Sequence, residues 1–191
     1  MLKPARLAVF ISGSGSNAEE IFLHFRNHPS IKVEMVLSNN PDAYGLERAR
    51  KFSVPSRVFT RDQFRESGEV LQWLQDAGIT HIVLAGFLLL VPSYLIKAFR
   101  HRIINIHPAL LPRFGGKGMY GMKVHEAVKA SADVQSGITI HEVDEKYDEG
   151  RTLFQAFCEI DPLDTPKEIA EKVQRLEHIH YPGVIEQWVT G

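Results

Sequence analysis

Apolar residues along the first half of the chain form short runs that alternate with stretches of helical spacing. Runs of four to seven apolar-rich residues are typical of strands that are buried on both faces. The predicted strands are residues 7–11, 31–37, 56–59, 79–85 and 103–106. The helices between them start near residue 17 and then cover residues 45–52, 61–77 and 93–99, with Phe64, Val70, Leu71 and Leu74 on the buried face of the third and Ser93 capping the last. This alternation predicts an α/β fold with a doubly wound, mainly parallel, Rossmann-like sheet.

The pattern changes after Pro112. A glycine-rich loop and a short helix over residues 121–130 precede two alternating segments, 134–143 and 153–160, which predict an antiparallel hairpin near the C-terminal part. A long C-terminal helix then follows, for which we predict Thr165 as N-cap, Pro166 in the first position and Glu168 closing a capping box. We expect Pro182 to bend or interrupt this helix. Its predicted buried side carries Ile169, Val173, Leu176 and either Ile179 or His180.

Composition narrows the class of protein. The chain has 191 residues, 44% of them hydrophobic, and shows no repeat or linker, which predicts a single domain over residues 1–191. A net charge of −1 provides no basic surface for nucleic acid or membrane, and no run of 18 apolar residues could span a bilayer. Cys158 is the only cysteine. Residues 1–11 contain no long apolar run that ends in a small-residue cleavage site, so we expect no signal peptide. We therefore expect a soluble, cytoplasmic monomer or homodimer.

A glycine-rich turn, Ser12-Gly13-Ser14-Gly15-Ser16-Asn17, joins the first strand to the first helix. Such a turn presents backbone N–H groups and a helix N-terminus to an anion, which favours phosphate binding. The alternative is an ordinary helix start capped by Ser16 or Asn17. A dinucleotide site would need an acid at the end of the next strand, but Glu34 lies mid-strand, so a monophosphate is the better ligand.

The run Asn105-Ile106-His107-Pro108 ends the fifth predicted strand with an amide and an imidazole at the carboxyl edge of the sheet, where ligands bind in open α/β folds. Taken alone, the pair is also compatible with a satisfied core contact. The acidic turn after residue 143 offers a carboxylate partner, which would raise the pKa of His107 and keep it protonated near neutrality. An imidazolium beside an amide donor suits an oxyanion formed during acyl transfer. The candidate carboxylates are Asp144, Glu145, Asp148 and Glu149.

No side chain is a convincing nucleophile, so we expect one substrate to attack the other directly. The scattered histidines, among them His125, lack the spacing of metal ligands, and we predict no metal site. Leu88, Leu89, Leu90 and Val91 are too apolar for an ordinary loop. They predict either a helix packed into the core or a wall for a flat apolar ligand.

Four motifs in this order make the chain resemble the folate-dependent formyltransferases, and among them the branch that acts on glycinamide ribonucleotide in purine biosynthesis. The motifs are Ser12-Gly13-Ser14-Gly15-Ser16-Asn17, Leu84-Ala85-Gly86-Phe87, the segment from Asn105 to Pro112, and Tyr147-Asp148-Glu149-Gly150. The resemblance covers nearly the whole chain. It implies transfer of the formyl group of 10-formyltetrahydrofolate, as co-substrate, to the ribonucleotide amine, without a metal.

The resemblance also implies roles for particular residues. His107 would be the catalytic acid, Asp148 would raise its pKa, with Asp144 as the fallback, and Asn105 would bind the formyl oxygen. The ribonucleotide would be held by Gly15, Ser16, Asn17 and Glu177. The folate would be held by Arg61, Leu88, Leu89, Leu90, Val91 and Asn105.

Two departures from the family pattern change these expectations. Many members carry an arginine where this chain has Leu89, which leaves backbone groups to recognise the pterin. The loop 115–121 is longer and richer in glycine, and we expect it to be mobile and to order on binding. A formyltetrahydrofolate deformylase, a methionyl-tRNA formyltransferase and a non-enzymatic nucleotide-binding module are the alternatives. The first two would carry a regulatory or an RNA-binding domain in addition.

Overall fold

One seven-stranded sheet organises the chain, of which a computed structural model describes residues 4–66 and 68–191. The strand order is β3-β2-β1-β4-β5-β6-β7. Strands β1 to β5 are parallel, while β6 runs antiparallel to both β5 and β7, as predicted. The strands are β1 (Ala5–Ile11), β2 (Ile31–Ser38), β3 (Ser56–Val58), β4 (His81–Leu84), β5 (Ile103–His107), β6 (Gln135–Glu142) and β7 (Thr152–Glu159).

Helices cover both faces of the sheet, because successive strand residues point to opposite sides. On β5, Ile104 and Ile106 join one buried cluster, which the first and last helices complete, whereas Ile103 joins the other. Both clusters are apolar, which confirms the predicted two-sided burial. The helices are α1 (Ser16–Phe25), α2 (Tyr44–Lys51), α3 (Arg61–Arg65), α4 (Glu69–Asp76), α5 (Ser93–Ala98), α6 (Met122–Ala130) and α7 (Pro166–Thr190).

The single helix predicted over residues 61–77 is wrong. Two helices, α3 and α4, replace it, because Gly68 adopts a left-handed conformation (φ 72°) at the start of the second; Ser67 between them lies outside the described residues. Phe64, Val70 and Leu74 are nevertheless fully buried, since each helix is still amphipathic. Ser93 is not the cap of α5 either, because Pro92 occupies that position without a side-chain bond.

The last helix, α7, begins as predicted and continues further than expected. Thr165 and Glu168 form the capping box, and Pro166 occupies the first turn. Pro182 lies inside the helix and does not interrupt it, so of the two expected effects the interruption is wrong. Ile169 and Val173 are buried, as predicted. Of the two alternatives further along the helix, Ile179 is 69% exposed, whereas His180 is partly buried with its ring 5.0 Å from that of Phe154. Tyr181, which was not predicted, is fully buried.

The sheet reverses its strand order between β1 and β4, which is where open α/β sheets hold their ligands. The loops after β1, β4 and β5 therefore meet at one edge. The Leu111–Pro112 peptide bond after β5 is cis. None of the described helices has the length and apolar character needed to cross a membrane.

Candidate active site

Strand β5 places Asn105 and His107 on the same face, because the two residues are separated by one position. His107 is the last residue of the strand and is 4% exposed. The turn that follows is held by Thr139 on β6, whose hydroxyl donates to the Ala109 carbonyl at 2.7 Å and accepts from the Leu111 N–H at 2.9 Å. The strand and the hydrogen-bonded turn thus fix the position of the His107 imidazole at the edge of the sheet.

Both ring nitrogens of His107 have partners. Nε2 donates to the Phe114 carbonyl at 2.8 Å, and Nδ1 lies 3.5 Å from Asp148 Oδ2. Burial lowers the pKa of His107 below its ordinary value and outweighs the Asp148 carboxylate, which raises it. The prediction that His107 is kept protonated near neutrality is therefore wrong, because desolvation of the ring exceeds the attraction of one neighbouring charge.

Asp148 is the member of the acidic turn that reaches the site. Its Oδ1 lies 3.5 Å from Nε2 of His141, and its Oδ2 accepts from the Gly116 N–H at 2.9 Å. Burial alone would raise the pKa of Asp148. The interaction with His141 and the charge of His107 lower it by a larger amount, so the pKa lies below its ordinary value and the carboxyl stays ionised. The fallback Asp144 instead accepts the Lys146 N–H within the turn.

His141 belongs to the site and was missed in the sequence. It lies on β6 directly opposite Asn105, and Nδ2 of Asn105 is 3.2 Å from His141 Nε2. The other ring nitrogen, Nδ1, is 2.8 Å from the Glu142 carbonyl, which fixes the ring. A buried histidine in a strand beside the acidic turn was the available signal, but pairing register cannot be read from spacing.

A third histidine, His125 on α6, lines the same cavity, although its spacing offered no reason to include it. The side chain is 6% exposed, and its Nδ1 has no hydrogen-bond partner among the described residues. Burial, with a contribution from His107, lowers the pKa of His125 to about 4, so it is neutral at physiological pH. A neutral imidazole with an unused nitrogen can pair with a ligand as acceptor or donor.

The glycine-rich turn, here called the anion loop (residues 13–17), forms the start of α1. Gly15 is the N-cap in a left-handed conformation (φ 69°), and no side chain caps the helix, so the alternative of a start capped by Ser16 or Asn17 is wrong. Among the described residues, none accepts a hydrogen bond from the N–H groups of positions 14–17. These four donors at a helix N-terminus are available to an anion.

Glu177 and Gln174 of α7 reach the anion loop from the side. Asn17 Nδ2 donates to Glu177 Oε2 at 2.8 Å, and Gln174 Nε2 donates to the Ser16 hydroxyl at 3.1 Å. Burial raises the pKa of Glu177 to about 7, despite the bond from Asn17. Asn17 Oδ1 is buried and has no partner in the described part of the chain. The site therefore contains a carboxyl and an unused acceptor next to the anion donors.

The segment 87–91 after β4 is a loop, and not the core helix that was one of the two interpretations. Leu88, Leu89, Leu90 and Val91 all line a cavity of about 880 Å³ that they share with the anion loop, Asn105, His107, Asp148 and Glu177. Leu88 is half exposed, and its N–H donates to the Ser12 hydroxyl at 3.0 Å. Arg61 is not brought to this cavity and lies exposed at the first position of α3.

Within the described residues, no group of three or more histidine, cysteine, aspartate or glutamate side chains is arranged to hold a metal ion. The amide, imidazole and carboxylate groups that line the cavity are the parts of a catalyst that works by positioning and hydrogen bonding.

The chain matches a family model and is similar to several known proteins and solved structures. The formyl transferase family matches residues 5–185. A phosphoribosylglycinamide formyltransferase of Bacillus subtilis is 35% identical over 187 residues, which cover 95% of this chain and 93% of that protein. The crystal structure of phosphoribosylglycinamide formyltransferase from Streptococcus pneumoniae has a TM-score of 0.86 at 34% identity, covering 97% of this chain and 99% of that one.

A chloroplastic phosphoribosylglycinamide formyltransferase of Arabidopsis thaliana is 43% identical over 187 residues, which are 94% of this chain but 64% of that protein. The chain thus spans somewhat less than two thirds of the plant relative's length. It nevertheless matches nearly the full length of the Bacillus protein and of the Streptococcus structure. The chain therefore belongs to the formyl transferase family and, within it, groups with the phosphoribosylglycinamide formyltransferases.

Proposed function

We propose that the chain transfers the formyl group of 10-formyltetrahydrofolate to the amine of glycinamide ribonucleotide, a step of purine biosynthesis. The observation that carries the proposal is the meeting of Asn105, His107 and Asp148 in a cavity whose walls also include the anion loop and the apolar segment 88–91. One cavity thus offers a phosphate site, an apolar wall and a set of acyl-transfer groups. We further propose that residues 1–191 form a single formyltransferase domain.

The phosphate of the ribonucleotide is assigned to the anion loop, where Gly15, Ser16 and Asn17 contribute N–H groups. The ribose is assigned to Glu177, because a carboxyl next to the buried Asn17 amide can accept from vicinal hydroxyls. A phosphorylated sugar placed in this way directs its amine away from the loop, towards the rest of the cavity.

The pterin of the folate is assigned to the segment 88–91. No described residue hydrogen-bonds to the backbone N–H or C=O of Leu89 or Leu90, so these groups can pair with the edge of the heterocycle. Their side chains supply apolar contact, which compensates for the absence of an arginine at position 89. Arg61 lies outside the cavity and is assigned to the charged tail of the folate, which extends away from the pterin.

The ribonucleotide amine attacks the formyl carbon, and the formyl oxygen becomes an oxyanion. Asn105 has a second amide hydrogen beyond the one directed at His141, and this hydrogen is assigned to the oxyanion. After Nε2 of His107 has taken up the proton of the amine, the imidazolium donates from this nitrogen to the oxyanion, which requires that the Phe114 carbonyl move aside. Such donors act on charge that develops in the transition state, and therefore lower the barrier.

Collapse of the intermediate breaks the bond between the formyl carbon and N10 of the folate. The amine loses one proton and N10 gains one, so no net proton is consumed. His107 is neutral before the reaction, as its lowered pKa requires. Once its single N–H is on Nδ1, towards Asp148, Nε2 can take the proton of the amine and pass it to N10, while Asp148 stabilises the imidazolium that forms transiently. His141 holds Asp148 and Asn105 in register.

The first experiment is a spectrophotometric assay of 10-formyltetrahydrofolate consumption, with and without glycinamide ribonucleotide. Consumption that depends on the ribonucleotide supports the transferase. Consumption in water alone indicates a deformylase, and the anion loop would then be only a helix start. An absence of consumption under both conditions contradicts the proposed activity.

The variant His107→Ala should lower turnover by roughly two to four orders of magnitude, because it removes both an oxyanion donor and a proton carrier. His101→Ala is the matched control, because His101 pairs with Glu142 at 3.0 Å and does not line the cavity. Equal turnover of the two variants would contradict the role of His107. If the chain is a nucleotide-binding module, the unaltered protein has no turnover to lose, and His107→Ala would leave its affinity for the ligand unchanged.

A further inference from the structure

The first turn of α2 lies directly behind the anion loop, although the cavity does not reach it. Gly45 donates its backbone N–H to the Gly13 carbonyl at 3.1 Å. Arg48, one turn further along the helix, donates from Nε to the Ser14 carbonyl at 3.0 Å. Two successive carbonyls of the loop are thus fixed on the side that faces away from the cavity.

These two contacts orient the donors of the loop. In a trans peptide the C=O and the following N–H point in opposite directions. When the Gly13 and Ser14 carbonyls point to α2, the N–H groups of Ser14 and Gly15 point away from it. Those N–H groups have no acceptor among residues 4–66 and 68–191. The helix therefore determines which way the loop presents its donors.

Close packing of two glycines makes this arrangement possible. A Cβ on Gly45 would stand 2.5 Å from the Ile11 side chain and 3.1 Å from the Gly15 Cα. A Cβ on Gly15 would stand 2.5 Å from the Gly45 Cα. The 2.5 Å contact at position 15 is with backbone, so any side chain there would push the loop and α2 apart. At position 45 an added Cβ would meet the end of the Ile11 side chain and press on the Gly15 Cα, so glycine favours the close approach there as well.

The charge of Arg48 is already engaged. Its guanidinium forms an ion pair with Glu19 of α1 and lies over the Tyr44 ring, 5.0 Å from the ring centre. A neutralised, stacked arginine behind the loop is suited to holding backbone in place, and is poorly suited to acting as a free cation on a phosphate.

We propose that Gly45 and Arg48 are positioning residues for phosphate recognition: they hold the carbonyls of the anion loop so that its N–H groups face the phosphate of the substrate. This inference deepens the proposed function and rests on its assignment of the ribonucleotide phosphate to the anion loop. Gly45 and Arg48 make no contact with substrate themselves.

The test compares Arg48→Met with Arg50→Met. Arg50 lies on the same helix, is 75% exposed and forms its ion pair with Glu47, away from the loop, so it is a matched control. Loss of one hydrogen bond from a charged group predicts that the dissociation constant of ribose 5-phosphate, measured by calorimetry, rises about tenfold in Arg48→Met. The KM for glycinamide ribonucleotide should rise with it, while the folate KM stays the same. Arg50→Met should leave all three constants unchanged.

Glu19→Gln separates positioning from direct contact by the sign of its effect. If Arg48 touched the phosphate, removal of its neutralising partner would tighten ribose 5-phosphate binding. The positioning role predicts weaker binding, because the guanidinium loses one of its anchors. Arg48→Lys keeps the charge but can reach only one of the two partners, and should restore only part of the affinity.

Gly45→Ala extends the test to the backbone and should weaken ribose 5-phosphate binding without changing the folate KM. Thermal unfolding and the folate KM show whether this variant is folded. If it is not, the test rests on Arg48→Met alone. Unchanged ribose 5-phosphate affinity in Arg48→Met overturns the positioning role and leaves the proposed function standing. An unaltered protein that binds no ribose 5-phosphate and shows no turnover overturns both.

Discussion

At His107, two opposing effects act on one imidazole. Burial favours the neutral ring, whereas the Asp148 carboxylate 3.5 Å away favours the charged one, and the pKa is lowered because burial dominates. Charge that develops on a bound substrate shifts this balance towards the imidazolium. A ring that is neutral at rest and charged in the transition state stabilises the second state selectively, which is what catalysis requires.

The variant Asp148→Asn should lower the pKa of His107 further, because it removes the carboxylate beside the ring. Turnover should fall by about two to four orders of magnitude, since the imidazolium loses its counter-charge. NMR titration of the His107 ring measures the first effect, and the formyl transfer assay measures the second.

Asp144→Asn is the matched control for this prediction. Asp144 lies in the same turn, and its carboxylate accepts the Lys146 N–H without reaching His107. We expect an unchanged His107 titration and near-normal turnover. A comparable loss in both variants would show that the net charge of the turn matters, rather than the contact of Asp148.

At Glu177, burial shifts the pKa upwards, to about 7. The ionisation of this carboxyl therefore changes with pH near neutrality. The ionised carboxylate is the better acceptor for ribose hydroxyls. We therefore predict that the KM for glycinamide ribonucleotide falls as the pH rises from about 6 to about 8, across that pKa.

Glu177→Gln should remove this part of the pH dependence and raise the ribonucleotide KM about tenfold at about pH 8, where a charged hydrogen bond is lost. Ionisation of the substrate phosphate remains in both proteins, so the difference between the two profiles isolates Glu177. Parallel profiles would contradict its assignment to the ribose. The folate KM is the internal control.

Among the elements, the loop from Phe114 to Gly121 contacts both His107 and Asp148. Its Phe114 carbonyl occupies Nε2 of His107, and its Gly116 N–H donates to Asp148. Gly116, Gly118 and Gly121 have positive φ angles of 91°, 93° and 56°. The loop can therefore change conformation at several glycines, as the exchange of Phe114 for substrate requires.

Gly116→Ala and Gly118→Ala form a matched pair, because both positions have nearly the same φ and no described atom within 4 Å of an added Cβ. Both alanines are strained, but only the first displaces a donor to Asp148. We predict about a tenfold loss of kcat for Gly116→Ala and a much smaller loss for Gly118→Ala. Equal losses would mean that strain in the loop, and not its bond to Asp148, limits turnover.

In the whole molecule, the two faces of the sheet contribute different parts of the cavity. Helices α1 and α7 on one face supply the anion loop and Glu177, whereas the loop after β4 packs on the opposite buried cluster and supplies the apolar wall. Strand β5 presents His107 between them. The proposed sites for the two substrates therefore belong to different layers of the molecule and meet at the edge of the sheet.

Buried histidines make the stability of the whole molecule depend on pH. Burial lowers the pKa values of His81 and His125 to about 4, from 6.5 in an unfolded chain. As the pH falls below 6.5, these two histidines become protonated in the unfolded state but stay neutral in the folded state. The free energy of unfolding therefore decreases. Urea unfolding should therefore give a lower midpoint at about pH 5 than at about pH 7.

Glu177 opposes this trend. Its folded pKa of about 7 exceeds the ordinary 4.5, so the folded state holds a proton between these values and gains stability as the pH falls. We expect the urea midpoint of Glu177→Gln to fall more steeply between about pH 7 and about pH 5 than that of the unaltered protein. Adding His125→Gln to this variant should make the fall shallower again. Equal midpoints at both pH values in Glu177→Gln would contradict the prediction.

The amino-acid sequence by itself determined the order and type of most elements, the change from parallel to antiparallel strands, and the capping box of α7. These features depend on local periodicity and on residues within one turn, which spacing reveals directly. It also indicated Asn105, His107 and the anion loop, because each lies at the end of a predicted strand. Family resemblance supplied Asp148 and Glu177.

Only the tertiary structure decided which groups meet and in which charge state. His141 entered the site through the register of β5 with β6, and Gly45 and Arg48 reached the anion loop across more than 30 positions of the chain. The lowered pKa of His107 depends on how completely its ring is desolvated. Register, close backbone approach and desolvation are properties of packing between distant segments, and the local pattern of residues does not contain them.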